Sequence, residues 1–491
     1  MDGAPLRQSS AKSSTDASRS FEESCCRFVA SMAAASPEVV RGIPLFRLVR
    51  LAPLYWLRGE LQRLHHRSEV VTEFDEFWSH SWQASAGSKC INILMRTNGV
   101  PAFLLSMVSV MLATLLARLE ILHPRDRFGA AWCVLLGSLV YYSTLLLWRQ
   151  RRVVFLDLAC INQTDRELKA QGIGSLGAIL KASKSMSVMW DATYATRLWC
   201  MFELAAFLHS RPAESKAEIM VCPPLLGPIR LGIHFGMLLL MLVYWPAVFF
   251  GGLKVLGGAA FVCLCWAGHT VRAYWRDVDM MEKQAGQFSI ARSLCSCCDA
   301  GTECNKLTCD RRIIAACIRA WFGSIAIFEE RVHYEERKLL ANRLCNNSIT
   351  YFEMVQAAAP ILWLGLDVMA TRENMHFKSA ELAKDCARWL AIVPFIMKLC
   401  LRLTYSLRAR CCTVHVDILV SCGIVAVAVA LFLLSTIIDL NILQRLIPDP
   451  LYANLTSLGI WGLAAALLWR VLPEIQVADE DHGTRLSLGH V

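Results

Sequence analysis

The sequence predicts a parallel α/β sheet domain interrupted by a transmembrane hairpin, joined to an α-helical membrane region, with about six transmembrane helices in all. Three observations predict it. Of 491 residues, 55% are hydrophobic and only 19% are charged, and the mean hydropathy is positive, a balance typical of membrane proteins. Windows 99–117, 128–148, 418–438 and 451–469 hold no Asp, Glu, Lys or Arg and are long enough to cross a bilayer. Between residues 73 and 224, short apolar runs alternate with segments of helical spacing, the pattern of strands joined by crossover helices.

Taken in order, residues 1–36 are rich in Ser and Ala, lack an apolar core and are expected to be disordered. No secretory signal peptide is expected, because the first clean span starts near residue 99. Residues 37–70 interleave basic and apolar side chains. They suit an amphipathic segment on an anionic membrane surface or one packed on the next domain, and Pro44 and Pro53 argue against a single long helix.

The domain itself is assigned to 71–98 and 149–224, split by hairpin 99–148. EFDEFWSHSWQ (73–83) reads as an aromatic strand, and Val153 to Leu158 as a buried strand around Asp157. Residues 172–183 have helical spacing, MSVMW (186–190) reads as a strand, and RLWCMFELAAFLHS (197–210) as a helix. EIMVCPP (218–224) reads as a strand stopped by two prolines. In open sheets of this kind ligands sit outside the carboxyl ends of the strands, which directs attention to Ser79, His80, Ser81, Asp157, Asp191 and Tyr194.

Residues 231–271 carry one full charge, Lys254, and read as a second hairpin. Residues 272–417 are assigned to a Cys-rich, helical cytosolic region, 418–469 to a third hairpin and 470–491 to a tail. Within 353–401, the runs 360–370 and 390–397 are too short or too polar to count as spans, and read as buried or interfacial helices. His234 and His269 lie near the ends of the second hairpin and read as interfacial.

The net charge of +9 belongs on the cytoplasmic flanks of the spans, so no nucleic-acid partner is expected. On the proposed inner side lie Arg96, Arg149, Arg151, Arg152, Arg230, Arg272, Arg276, Lys398, Arg402, Arg408 and Arg410, against Arg118, Arg125, Arg127, Lys254 and Arg445 outside. That bias places both termini and the large loops in the cytosol. Twenty-one cysteines are then expected as reduced thiols.

FDEFWSHSWQ, VFLDLACINQTD, ILKASKSMSVMW and YATRLWCMFELAAF together resemble the Toll/interleukin-1 receptor (TIR) domain. More closely, they are similar to TIR-like domains of polytopic algal membrane proteins. The resemblance covers roughly residues 71–224 without the hairpin. It implies a flavodoxin-like parallel sheet and a role in signalling, either as a self-associating scaffold or as a hydrolase of NAD at the nicotinamide–ribose bond. It also implies that Glu203, in the W-C-x-x-E-L helix, is the catalytic residue, with Trp199 and Cys200 beside it.

On the residues alone, Trp199, Glu203 and Phe207 are spaced to share one helix face. A carboxylate there gains a raised pKa and suits a proton acceptor or ribose ligand; the bland reading pairs it with Arg197 or Lys181. Asp157 either caps the next turn or meets a ligand. His80 either binds a phosphate or ribose or is structural, and Asp191 and Tyr194 either rim a nucleotide cleft or form a turn. Asn162, Gln163 and Asp165 read as loop-forming. Cys295, Cys297, Cys298, Cys304 and Cys309 form a dense group that could hold zinc, although the spacing matches no standard finger and ordinary thiols account for it. Besides the signalling reading, a non-catalytic scaffold and a transporter or channel with an accessory TIR-like domain stay open.

Overall fold

The computed structural model describes residues 27–472 apart from 59, 82–84, 120, 122–131, 212–217, 251–252, 296–309, 334–348 and 371–374. The strands are β1 (Arg41–Pro44), β2 (Glu69–Val70), β3 (Phe74–His80), β4 (Val153–Phe155), β5 (Ser183–Met189) and β6 (Ile219–Val221). They form one sheet in the order β2-β1-β4-β3-β5-β6. β4, β3, β5 and β6 run parallel, whereas β1 pairs antiparallel with both β2 and β4. The central strand β3 is buried along most of its length, and Phe77 stacks on Phe155 with ring centroids 4.8 Å apart.

The helices of this unit are α1 (Leu45–Leu57), α2 (Ala86–Arg118), α3 (Trp132–Leu147), α4 (Arg166–Gly174), α5 (Leu176–Lys181) and α6 (Leu198–His209). Asn162 Oδ1 accepts from Thr164 N and Asp165 N, and Asp165 caps α4 through Glu167 N and Leu168 N, so both serve the loop.

Three expectations change. Asp157 does not end a strand, because β4 stops at Phe155 and Asp157 opens the short helix Asp157–Cys160. The segment 37–70 is only partly helical. It supplies β1 and β2 as an antiparallel edge, held where Arg41 donates to Ser68 Oγ at 2.9 Å and Arg47 pairs with Glu69. Strands of four and two residues are too short for alternation to reveal. Residues 27–36, expected to be disordered, pack on the domain instead. Met32 is buried, Trp321 Nε1 donates to Ala30 O at 3.0 Å, and Ala35 N donates to Ser175 Oγ at 2.9 Å. Residues 1–26 and 473–491 lie outside the described residues.

The remaining helices are α7 (Leu226–Phe250), α8 (Leu253–Gly286), α9 (Asp310–Phe322), α10 (Tyr351–Ala357), α11 (Ala359–Ala370), α12 (Met375–Ala387), α13 (Val393–Ser406), α14 (Val414–Ile438) and α15 (Pro450–Val471). Among the described residues, three helices are long and apolar enough to cross a membrane: Ala86–Arg118, Val414–Leu446 and Pro450–Val471. The pair Tyr351–Ala357 and Ala359–Met369, bent by 48°, qualifies as a fourth if counted together, while Trp132–Leu147 and Leu226–Leu242 are apolar but shorter. Leu104, Val108, Met111, Leu419, Leu433 and Leu463 lie exposed on these helices, as expected of faces that meet lipid rather than water. Three to four candidate spans are therefore found among the described residues, and the expected six are not shown.

Asp367 makes the run 360–370 too polar to count as a span from its sequence. That carboxylate accepts from Cys133 N at 2.8 Å and Val134 N at 3.0 Å. Unpaired N–H groups at the start of α3, with the positive end of its dipole, satisfy the charge inside the bundle. A similar arrangement holds Arg272, fully buried in α8, against Asp417 at 2.8 Å and against the carbonyls of Leu407 and Ala409.

Close helix approach depends on glycine. A Cβ on Gly227 would fall on the backbone N and Cα of Asn92, where α7 crosses α2. Gly227→Ala should therefore destabilise the protein by roughly 1–3 kcal/mol, as overpacking against backbone does, read as a lowered Tm. Gly258→Ala, which meets nothing, should leave Tm within the range of a surface change.

Candidate functional site

The carboxyl ends of β3, β4 and β5 gather nearly all the predicted residues into one hydrogen-bonded network. Ser79, near the end of β3, donates through Oγ to Glu203 Oε2 at 2.5 Å and lies 2.6 Å from the Tyr194 hydroxyl. Tyr194 is fully buried, 4.7 Å from the Trp190 ring, and its hydroxyl donates to Cys200 O at 3.3 Å. Cys200 Sγ in turn donates to His80 O at 3.6 Å. α6 thus brings Glu203 and Cys200 over the end of the central strand.

A second half of the network is centred on His80. Its Nε2 lies 3.1 Å from Asp157 Oδ1, and its Nδ1 faces Ser81 O at 3.1 Å and Lys89 Nζ at 3.5 Å. Ser81 Oγ donates to Asp191 Oδ2, and Thr193 Oγ1 donates to Asp191 Oδ1 at 2.6 Å. The Ser79 and Ser81 hydroxyls thus bond to carboxylates rather than to the imidazole. His80 is placed to orient Asp157, not to activate a serine nucleophile.

Burial dominates the electrostatics. It pushes the Glu203 carboxyl up to about 8, with the Asp157 charge adding to the rise and the Ser79 hydrogen bond opposing it. Burial also raises the Cys200 thiol well above its ordinary value, which Glu203 reinforces, so Cys200 is a neutral thiol rather than a nucleophile. For Asp157 burial acts upward too, but His80, the Leu158 N–H and Lys89 together hold it below the usual carboxylate range. Two carboxyls pushed in opposite directions within one network can separate proton-donating from charge-stabilising roles.

Trp199 does not join the others. Its Nε1 donates to Asp310 Oδ2 at 3.2 Å at the start of α9, and its ring packs edge-on against Phe202. α9 therefore packs along α6, where His209 also stacks on Trp321 at 5.3 Å. Two residues that sequence reasoning did not weigh complete the site. Lys89, on the first turns of α2, donates to Ser81 O. Asp277, on α8, has its carboxyl raised by burial and by the Asp191 charge.

The zinc expectation fares differently. Cys295 is buried, and its neighbour Leu294 pairs with the chain before α6, donating from its N to Thr196 O at 2.7 Å. Cys297, Cys298, Cys304 and Cys309 lie outside the described residues. Among the described residues no group of three or more metal-ligating side chains is found.

Comparison with protein-family models, with curated proteins and with solved structures finds no match for this chain.

Proposed function

We propose that the chain is a polytopic membrane signalling protein whose TIR-like α/β domain cleaves NAD at the nicotinamide–ribose bond through Glu203. The observation that supports this most is the position of Glu203 at the carboxyl edge of β3, its carboxyl pushed up to about 8 beside Ser79 and Tyr194. The parallel order β4-β3-β5-β6 agrees with a flavodoxin-like sheet, in which this edge binds ligands. In the reaction the bond from C1′ to nicotinamide breaks and its electron pair neutralises the pyridinium. Water adds at C1′ and releases a proton. Glu203, once ionised, accepts from a ribose hydroxyl and offsets the positive charge that develops on the ribose.

The signalling part of the reading rests on continuity. α2 runs unbroken from Lys89, beside His80, to Arg118, and α8 runs from its apolar half to Asp277, whose carboxyl feels the Asp191 charge. A shift of either helix in the bilayer moves a charged group at the site. In this reading the domain lies on the cytosolic side, which the basic flanks support, the apolar helices of α2–α3, α7–α8 and α14–α15 pair as membrane hairpins, and self-association brings domains together.

A non-catalytic scaffold is the second reading, favoured by the hydrogen bond that already occupies Glu203 and by the packing of α9 along α6. Nicotinamide release by purified full-length protein separates the two. NAD cleavage should rise about tenfold from pH 7 to pH 9 as Glu203 ionises, and Glu203→Gln should lower it by about 100-fold or more. No release from wild-type protein at a concentration high enough for assembly would decide for the scaffold.

A further inference from the structure

A cavity of about 150 Å³ lies where the α/β domain meets the helical bundle, lined by α2, α3, α7 and α10. Its polar lining is unusual for this depth. His234 is 1% exposed, and its Nε2 has no hydrogen-bond partner. Its ring stacks on Tyr141 with centroids 4.0 Å apart, and Nδ1 lies 3.1 Å from the Tyr142 hydroxyl. Gln356, 8% exposed, likewise has an unpartnered amide nitrogen, Nε2. Two buried groups left unsatisfied in one small space are costly unless a guest meets them. His234, expected at the interfacial end of its span, is thus enclosed by other helices.

We propose that this cavity is a binding site for a small oxyanion, a carboxylate or phosphate of about six heavy atoms. The size follows from the volume, since a cavity near 150 Å³ accepts a guest about as large as benzene. The charge follows from the lining. Arg96 and Arg230 border the cavity, each already paired with a carboxylate, Glu76 and Glu353 respectively, so the choice of an anion rests on the unpartnered donors of the lining. In the tautomer where the Tyr142 hydroxyl donates to Nδ1, the one an oxyanion guest selects, the His234 proton sits on Nε2. It then joins the Gln356 amide as a donor in want of an acceptor. Met95, Val100 and Phe352 supply an apolar wall. Val100 and Phe352 are both exposed, so the guest's source is either the aqueous phase or a lipid headgroup. Arg96 also pairs with Glu76 in β3 and donates to Ser187 Oγ in β5 at 2.8 Å, so a guest here touches a side chain that ties the sheet to α2.

The test is thermal denaturation of full-length protein in detergent at constant ionic strength. Butyrate, inorganic phosphate and dihexanoyl phosphatidic acid are titrated separately against chloride. At least one should raise Tm by ~2 °C or more, and the responding ligand identifies the source. Gln356→Glu, which sets a negative charge at the donor, should abolish the rise, and Gln356→Met should reduce it several-fold. His234→Phe, which keeps the stacking on Tyr141, should do the same. No rise with any ligand, or equal rises in wild type and in whichever of the three variants fold, would show that the cavity holds only water and overturn the proposal.

Discussion

Glu203→Gln should make the protein more stable at neutral and alkaline pH, by roughly 2–4 kcal/mol near pH 8. The Glu203 carboxyl titrates at about 8 in the folded chain and near 4.5 when unperturbed. Below about pH 4.5 both states hold the proton, and its contribution to stability is fully present. Between the two values the unfolded chain has released the proton while the folded chain retains it, so stability falls as pH rises. Above about 8 the loss is complete and constant. A glutamine keeps the acceptor for Ser79 but has no proton to lose. Tm of the variant should therefore be flat across this interval where that of wild type declines. Equal slopes in the two proteins would mean that burial does not perturb this carboxyl. The gain in stability should accompany the loss of the proposed NAD cleavage, the usual cost of holding an ionisable group where water is scarce.

The second large effect is expected at the seam between sheet and span. Glu76 is 2% exposed in β3, and its charge is met by Arg96 from α2, with Trp78 Nε1 as a further donor. Arg96→Met removes the counter-charge and leaves a carboxylate in an apolar core, a change that costs about 3–5 kcal/mol. The double variant Glu76→Gln with Arg96→Met should recover most of that loss, because no buried charge remains. Measured by Tm for each single variant and the pair, recovery would identify the penalty as electrostatic. An additive loss would assign it to lost packing of the Arg96 stem against the strands.

Much of the site was legible before the structure. Ser79, His80, Asp157, Asp191 and Tyr194 all fall at or just beyond apolar runs that form adjacent parallel strands, and strands so arranged bring their carboxyl ends to one edge. Glu203 was legible as a lone charge in an apolar helix. Trp199 was misread because a shared helix face does not say which neighbour covers each turn, and α9 takes up the indole through Asp310. Lys89 and Asp277 were missed because each stands on a helix continuous with an apolar window, and only the fold turns that end of the helix toward the site.

The sequence by itself determined the periodic features: the long apolar windows, the four parallel strands and the basic flanks, since each depends on residues close along the chain. The tertiary structure alone decided where isolated charges go. Asp367 and Arg272 can lie within apolar helices because backbone N–H groups, carbonyls or a carboxylate from other helices meet them. The edge strands β1 and β2, the ordered residues 27–36 and the cavity at His234 likewise exist only through contacts between distant segments. Hydrophobic period is a local property, whereas satisfying a buried charge is a matter of what the fold brings beside it.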